Sequence, residues 1–368
     1  MTIHRVFLAG AKNDKRWKYS PVTIVASKTP LYAGSVSDFV REYPELLHQM
    51  SNQVKRCHAC SKSCGKTIDV CNNCGVSLRN SPIVRSDNAL MGFVYGIKFC
   101  DNYFLGTSIR YQDPDYLVYD DIMQTTPIHL NSIPTFVYVP DFRYLFSNPS
   151  KGLELISNLL ENAVRAATQM LTNESFREKF FSRPANDYMD SVGLETFARH
   201  SALHGFNYPP SQYQIHLQFI IPPYTPYHSV LFEEGKHGNL NRFFTFDFIQ
   251  KVLIFLKANN QAIQLSEIEP YSGEKLVGFI QERTNNVIDY YDCFRNAMQR
   301  HKQNNEAFCN WTEDDFKCRV ERAPDGQVSP ELDEILKRDK ELLESYGKGP
   351  LGLQFYSFAK RPGSVSLW

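Results

Sequence analysis

The sequence predicts an α+β fold built on an antiparallel sheet, with a small cysteine-rich metal module and a helical C-terminal part. Three observations predict it. Short β-branched and aromatic runs, broken by Gly, Pro and Asp-Asn signals, crowd the stretch 92–140. Apolar residues at three- and four-residue spacing mark one long helix at 152–171, and a last strand-like run follows at 213–221. Beyond 245 the spacing is helical. Strands and helices are thus segregated along the chain, not alternated as in a parallel sheet.

The elements follow in order. Val6-Phe7-Leu8 and Val22-Thr23-Ile24-Val25-Ala26 read as short strands, and 36–54 as a short helix, giving a mixed segment over 1–54. The cysteine module occupies 55–80. Strands are expected at 92–97, 103–106, 116–119 and 133–140, the last with Pro134 and Pro140 near its ends. In the helix 152–171, Leu155, Ile156, Leu159, Leu160, Ala163, Val164 and Ala167 share one face. The polar stretch 172–200 reads as partly helical. Tyr213 to Ile221 is a strand closed by Pro222-Pro223. Thr245 caps a helix over 246–258, and another is expected over 274–300. Ser329-Pro330-Glu331 opens a third, with Gly347 past its end, after a turn at 323–326. The larger units are 81–245, which holds the strands, and the helical part 246–368.

The chain has 368 residues, enough for two domains or one large domain with an accessory module. With 42% hydrophobic and 22% charged residues, a wholly disordered chain is excluded. Lys+Arg and Asp+Glu are both 40, so no global basic field holds the protein on nucleic acid. A local patch at Lys12, Lys15, Arg16 and Lys18 keeps RNA or DNA open but not favoured. No apolar run reaches membrane-spanning length, and the start lacks signal-peptide character. The expectation is an intracellular protein, cytoplasmic or nuclear, without a membrane partner.

Five of the nine cysteines fall between 57 and 74. Cys57-His58-Ala59-Cys60 and Cys71-Asn72-Asn73-Cys74 are two C-x-x-C pairs, and each pair can grip one edge of a tetrahedral Zn²⁺. In an intracellular chain this spacing points to metal and not to disulfides. Gly75 follows the second pair, where a knuckle wants a residue free to take positive φ. Cys57, Cys60, Cys71 and Cys74 are the expected ligands; Cys64 and His58 are left out. Four thiolates leave no open position, so the zinc is read as structural, and its knuckle as a surface on which a protein partner can dock.

The run at 213–221 carries the chemistry. Ile215, Leu217, Phe219 and Ile221 would share its apolar face, and Gln214, His216 and Gln218 the other. A Gln-His-Gln row suits a polar cleft, although a half-buried strand with a satisfied histidine fits the same alternation. Asn207-Tyr208-Pro209-Pro210-Ser211-Gln212, just before it, is turn-forming and can aim N–H groups and a hydroxyl at an anion. A neutral imidazole among such donors can attack phosphorus and split one transfer into two steps.

The segment Asn207-Tyr208-Pro209-Pro210-Ser211-Gln212-Tyr213-Gln214-Ile215-His216-Leu217-Gln218 resembles the active-site segment of the histidine-triad superfamily. Within it the likeness is to the branch of diadenosine tetraphosphate phosphorylases and galactose-1-phosphate uridylyltransferases. That branch carries Asn, a Ser-Gln or similar pair, then His-x-His-x-Gln. The resemblance implies that His216 is the nucleophile and that Gln218 holds a phosphate oxygen. It further implies that Asn207, Ser211 and Gln212 bind neighbouring phosphates or position the loop. Gln214 stands where the family has its first histidine; it can orient the nucleophile by hydrogen bonding but cannot act as acid or base. Upstream, Val118-Tyr119-Asp120-Asp121 and Pro127-Ile128-His129-Leu130-Asn131-Ser132-Ile133-Pro134 precede the long helix, as in histidine-triad domains. That order implies a nucleotide-binding domain over 81–245, with Asp121 near a ribose; a solvated turn fits Asp120-Asp121 equally. Lys236 and His237, flanked by Gly235 and Gly238, are candidates for a polyphosphate, or else an exposed loop.

The expected function is nucleotidyl transfer, phosphorolysis or hydrolysis at an α-phosphate of a dinucleoside polyphosphate or nucleotide sugar, through a nucleotidyl-His216 intermediate. The alternative is a catalytically weak or inactive module that binds a nucleotide or RNA end and docks partners through its zinc. A homodimer is compatible with either.

Overall fold

The computed structural model describes residues 35–71, 73–95, 97, 109–113, 115–121, 124–311, 334–339, 341, 343 and 366–367. The expected strands at 6–8, 22–26 and 103–106 lie outside these residues, as do the turn at 323–326 and the opening of the helix at 329; residues 334–339 are helical.

Ser35 caps helix α1 (Val36–Glu42) through a reciprocal box with Asp38. The helix expected over 36–54 ends there. Pro44 disfavours a helical Tyr43 and starts a 3₁₀ turn, after which the chain enters β1 (Ser51–Arg56). β1 is the centre of a small antiparallel sheet, between β2 (Ser63–Gly65) and β3 (Ile83–Asp87). The run expected as a strand at 92–97 is helix α2 (Ala89–Tyr95). Asn88 accepts from the Met91 N–H, and Met91, Val94 and Tyr95 pack against Val36 and Phe39 of α1. A short apolar run fits either period, and here the partner helix decides.

β4 (Ile109–Gln112), β5 (Tyr116–Asp120) and β6 (Ile128–Pro134) form an antiparallel meander. A two-residue strand, β7 (Val137–Tyr138), follows. The long helix α3 (Pro149–Leu171) has the expected C-terminal end, with Asn148 as its cap. The polar stretch after it is helical as α4 (Glu174–Phe180), α5 (Arg183–Val192) and α6 (Leu194–Ser201). β8 (Leu203–Asn207) and β9 (Leu217–Ile221) pair as an antiparallel hairpin, and β9 also pairs with β6. Helix α7 (Pro226–Glu233) and β10 (Phe243–Thr245) come next. Thr245 caps α8 (Phe246–Ala258), as expected. Short α9 (Leu265–Ile268) follows. The helix expected over 274–300 is two, α10 (Gly273–Arg283) and α11 (Tyr290–Phe308). Asn285 and Asn286 take positive φ between them, and Asp289 caps the second.

The large sheet has six strands in the order β10-β8-β9-β6-β5-β4, all antiparallel. The architecture is therefore α+β. Helix α3 lies across one sheet face. Ala163, Val164 and Ala167 meet Val118, Leu130 and Phe219 there, while Leu155, Ile156 and Leu159 join Leu217 and α8. Alternation sends the other residues to the opposite face, where Tyr119, Asn131 and Gln218 stand in register across three strands. This polar row faces the cysteine module. Among the described residues, no helix is long and apolar enough to cross a membrane.

Candidate functional site

The cysteine module is two matched knuckles. Cys57 N–H donates to the Lys62 carbonyl and Ser61 N–H to the Cys57 carbonyl; Cys71 N–H donates to Val76 and Gly75 N–H to Cys71 in the same pattern. Ser61 and Gly75 occupy equivalent turn positions, at φ 59° and 72°. The turns converge Cys57, Cys60, Cys71 and Cys74, whose sulfurs all lie within 4.8 Å of one another and form no disulfide. Cys57 and Cys74 sulfurs are 3.5 Å apart, and Cys60 and Cys71 sulfurs 3.6 Å. A tetrahedral zinc with Zn–S near 2.3 Å requires sulfurs about 3.8 Å apart, so the donor set fits that ion. His58 is exposed; Cys64 lies 3.9 Å from Cys71 sulfur but outside the group of four.

A cleft of about 350 Å³ opens between this module and the polar row of the sheet. Its sheet side carries Tyr119, Asp121, Asn131, Asn207, Ser211, His216, Gln218 and Arg242; residues 60–65 of the module form the facing wall. The two sides touch closely. A Cβ at Gly65 would stand 2.5 Å from the Pro209 carbonyl and 3.1 Å from the Arg242 guanidinium, which leaves room for glycine alone. A narrower chamber of about 50 Å³ continues past Lys62, Asp121, Gln218 and Arg242 to His129, Tyr224 and His237.

His216 directly precedes β9. Its Nδ1 lies 2.8 Å from the Gln214 carbonyl, which can only accept, so Nδ1 carries the proton. Nε2 is left with its lone pair. Burial pushes the imidazole below its ordinary pKa of 6.5; the Gln214 contact and Asp121 oppose that shift, and Arg242 adds to it. The ring is therefore neutral at pH 7. Arg242 donates to Asn207 Oδ1 at 3.0 Å and leaves its buried Nε without a hydrogen-bond partner. Burial lowers its pKa to about 10, still well above neutrality. Among the described residues, neither Arg242 nor Lys62 has a carboxylate within ion-pair distance. Two cations, the Asp121 carboxylate, amides, hydroxyls and a neutral imidazole thus share one cleft.

Not every expected residue lines it. Gln214 does not: the strand begins at Leu217, so alternation stops short of it, and its side chain is fully buried on the core side. There it donates to the Pro134 and Val137 carbonyls and accepts from Val139 N–H. Gln212 stands at the cleft edge, where its Oε1 accepts from Asn52 Nδ2 and Ala89 N–H and ties the loop to both β1 and α2. Asp121 accepts from Asn131 at 2.8 Å and lies 3.8 Å from His129. Lys236 is paired with Glu234 and lines neither space. His237 is buried at the far end of the chamber, 3.1 Å from His228 and stacked on Tyr224. Lys62, Asn131 and Arg242 were not expected here. Lys62 reads as one more charge beside cysteines, and Arg242 sits alone in a polar loop; only tertiary packing brings them to His216. Compared with family models, curated proteins and solved structures, the chain matches none.

Proposed function

We propose that the cleft binds nucleotide phosphates and that His216 takes up the nucleotidyl group from an α-phosphate. One observation carries this reading: a neutral imidazole, its Nδ1 committed to a carbonyl, lines a cleft with two cations that lack carboxylate partners among the described residues. In the first step the Nε2 lone pair forms a bond to phosphorus and the bond to the leaving oxygen breaks. A polyphosphate leaves as a stable anion and needs no proton, so Gln218 in place of an acid suits it. Arg242 and Lys62 would offset charge on the non-bridging and leaving oxygens, with Asn207, Ser211 and Gln218 as neutral donors. In the second step an acceptor oxygen attacks, and the P–N bond breaks. Ala89, Leu90 and Tyr119 offer the apolar wall a base requires.

The histidine-triad likeness fits the order of elements: a meander with Asp121 just past β5, a Pro-x-His strand, a long helix, then the strand after His216. The four cysteines would hold a structural zinc that fixes the facing wall.

The test uses α-phosphate-labelled diadenosine tetraphosphate and a nucleotide sugar, with wild type and His216→Ala side by side. Acid-labile label on wild type alone is the expected result, and a product that changes on adding phosphate identifies phosphorolysis. Absence of label and turnover in both, with nucleotide still bound, overturns the enzyme and leaves a binding module.

A further inference from the structure

The metal module forms a whole wall of the cleft, which a purely structural or partner-docking role does not require. Residues 60–65 line it without interruption, and Lys62 is the one cation among them. Lys62 is also part of a knuckle, because its carbonyl accepts from Cys57 N–H at 2.9 Å. The chain from Cys60 to β2 is too short for Lys62 to stay in place if the cysteines separate. Among the described residues, the wall is otherwise held by the pairing of β2 with β1 and by the contact of Gly65 with Pro209 and Arg242. β2 is three residues long, and among the described residues the buried aliphatic and aromatic members of the apolar cluster around the cysteines are Ile68, Val76, Leu78 and two residues of α7. A module of this size does not build a sufficient core, so a bound metal supplies the folding energy.

We propose that the four-cysteine metal site controls the anion affinity of the His216 cleft by holding Lys62 as a phosphate ligand opposite Arg242. The proposal rests on the reading of the cleft as a phosphate site and adds a specific ligand and a dependence on metal. Lys62 is suited to the task. It faces both the cleft and the inner chamber, has no carboxylate partner among the described residues, and stands across from the half-buried Arg242. Two like charges on opposite walls repel until an anion lies between them, which favours a ligand carrying several negative charges, such as a polyphosphate.

The test is calorimetric titration of the full chain with ATP and with tripolyphosphate, which has neither base nor ribose. Wild type, Lys62→Gln and Lys66→Gln are compared, each zinc-loaded and each stripped by a chelator. Elemental analysis fixes the zinc content, and circular dichroism confirms that the main domain stays folded. Lys66, next to β2 but outside the cleft, is the control for net charge. Loss of one charge-assisted contact weakens tripolyphosphate about tenfold to hundredfold in zinc-loaded Lys62→Gln, with Lys66→Gln like wild type. Stripping brings wild type to the same affinity and changes Lys62→Gln little further. Zinc-loaded Lys62→Gln with wild-type affinity for both ligands overturns the proposal while the cleft reading stands. Equal losses on stripping wild type and Lys62→Gln overturn the link between metal and Lys62. A wild type that binds neither ligand overturns the phosphate reading itself, and this inference with it.

Discussion

The carbonyl oxygen of Gln214 accepts the Nδ1 proton of His216 at 2.8 Å, so the backbone two residues upstream fixes the tautomer of the imidazole. This has a consequence for pH. The proposed attack by His216 needs the neutral ring, and burial holds its pKa below the ordinary 6.5. Protonation would remove the proposed nucleophile, so the labelling rate falls on the acid side, with its limb centred below the ordinary histidine value. Asp121 raises the His216 pKa, so Asp121→Asn moves the acid limb to lower pH; Arg242 lowers it, so Arg242→Gln moves the limb up. Single-turnover labelling across pH measures both shifts. A wild-type limb centred above the ordinary histidine value contradicts the assignment.

Gln214 itself contributes through its side chain to stability and not to proton transfer. Its amide satisfies Pro134, Val137 and Val139, all without access to water. Gln214→Ala leaves these backbone groups unpaired, at a cost on the order of 3 kcal/mol. Denaturant unfolding reads that loss. At a temperature where the variant is folded, the acid limb of its labelling rate coincides with that of wild type. A shifted limb instead places the Gln214 side chain in the chemistry.

Part of this arrangement was legible in the sequence. The C-x-x-C spacing located the thiol cluster, because a knuckle is local geometry. His216, Gln218, Asn207 and Ser211 meet in one cleft, as the turn-forming segment and the alternation suggested. The alternation failed at Gln214, because residues 211–216 are a loop whose direction is set by hydrogen bonds to Val137 of β7, to Val139 and to β1. Period also failed at 92–97, where packing against α1 makes a helix of a run that reads as a strand. Lys62 and Arg242 are 180 positions apart in the chain, and no local pattern announces two cations that line one cleft only in the folded chain.

Gly65 and Gly278 make a contrasting pair. A methyl at Gly65 meets the Pro209 carbonyl at 2.5 Å and Arg242 at 3.1 Å, so Gly65→Ala pushes the module off the loop. The expected cost is about 1–3 kcal/mol, with weaker tripolyphosphate binding. Gly278 lies in α10 with nothing within 4 Å of an added Cβ, so Gly278→Ala stabilises by roughly 0.5–1 kcal/mol and leaves binding unchanged. Unfolding midpoints and titrations of both variants check the contrast. A harmless Gly65→Ala means the module and the sheet do not meet as described.

The thiol cluster predicts one metal per chain. Elemental analysis of the purified protein returns about one zinc, and Cys57→Ser or Cys71→Ser lowers it, because three thiolates leave the tetrahedron open. Cys309→Ser, outside the group, retains the full content. A stable, metal-free wild type excludes the site.

Acid stability follows from histidines away from the cleft, the buried His228 and His301 and the half-buried His204. Burial lowers His204 to about 4, and His228 and His301 to about 3, from the ordinary 6.5. All three are neutral in the fold, while the unfolded chain takes up their protons below 6.5. The stability they allow is fully present above that pH and is lost as pH falls toward the folded values. Each contributes at most about 1.4 kcal/mol per pH unit well below 6.5. Burial raises the Asp120 carboxyl above its ordinary 3.8, which acts in the opposite direction, but three histidines outweigh that one carboxyl. Urea midpoints therefore fall steeply between neutral pH and about pH 5. In His301→Gln, one titrating group is gone and the slope is shallower, although the lost contact with the Tyr224 hydroxyl lowers stability at neutral pH. An unchanged slope in that variant shows that His301 is protonated in the folded protein, and that its burial is not what opposes acid.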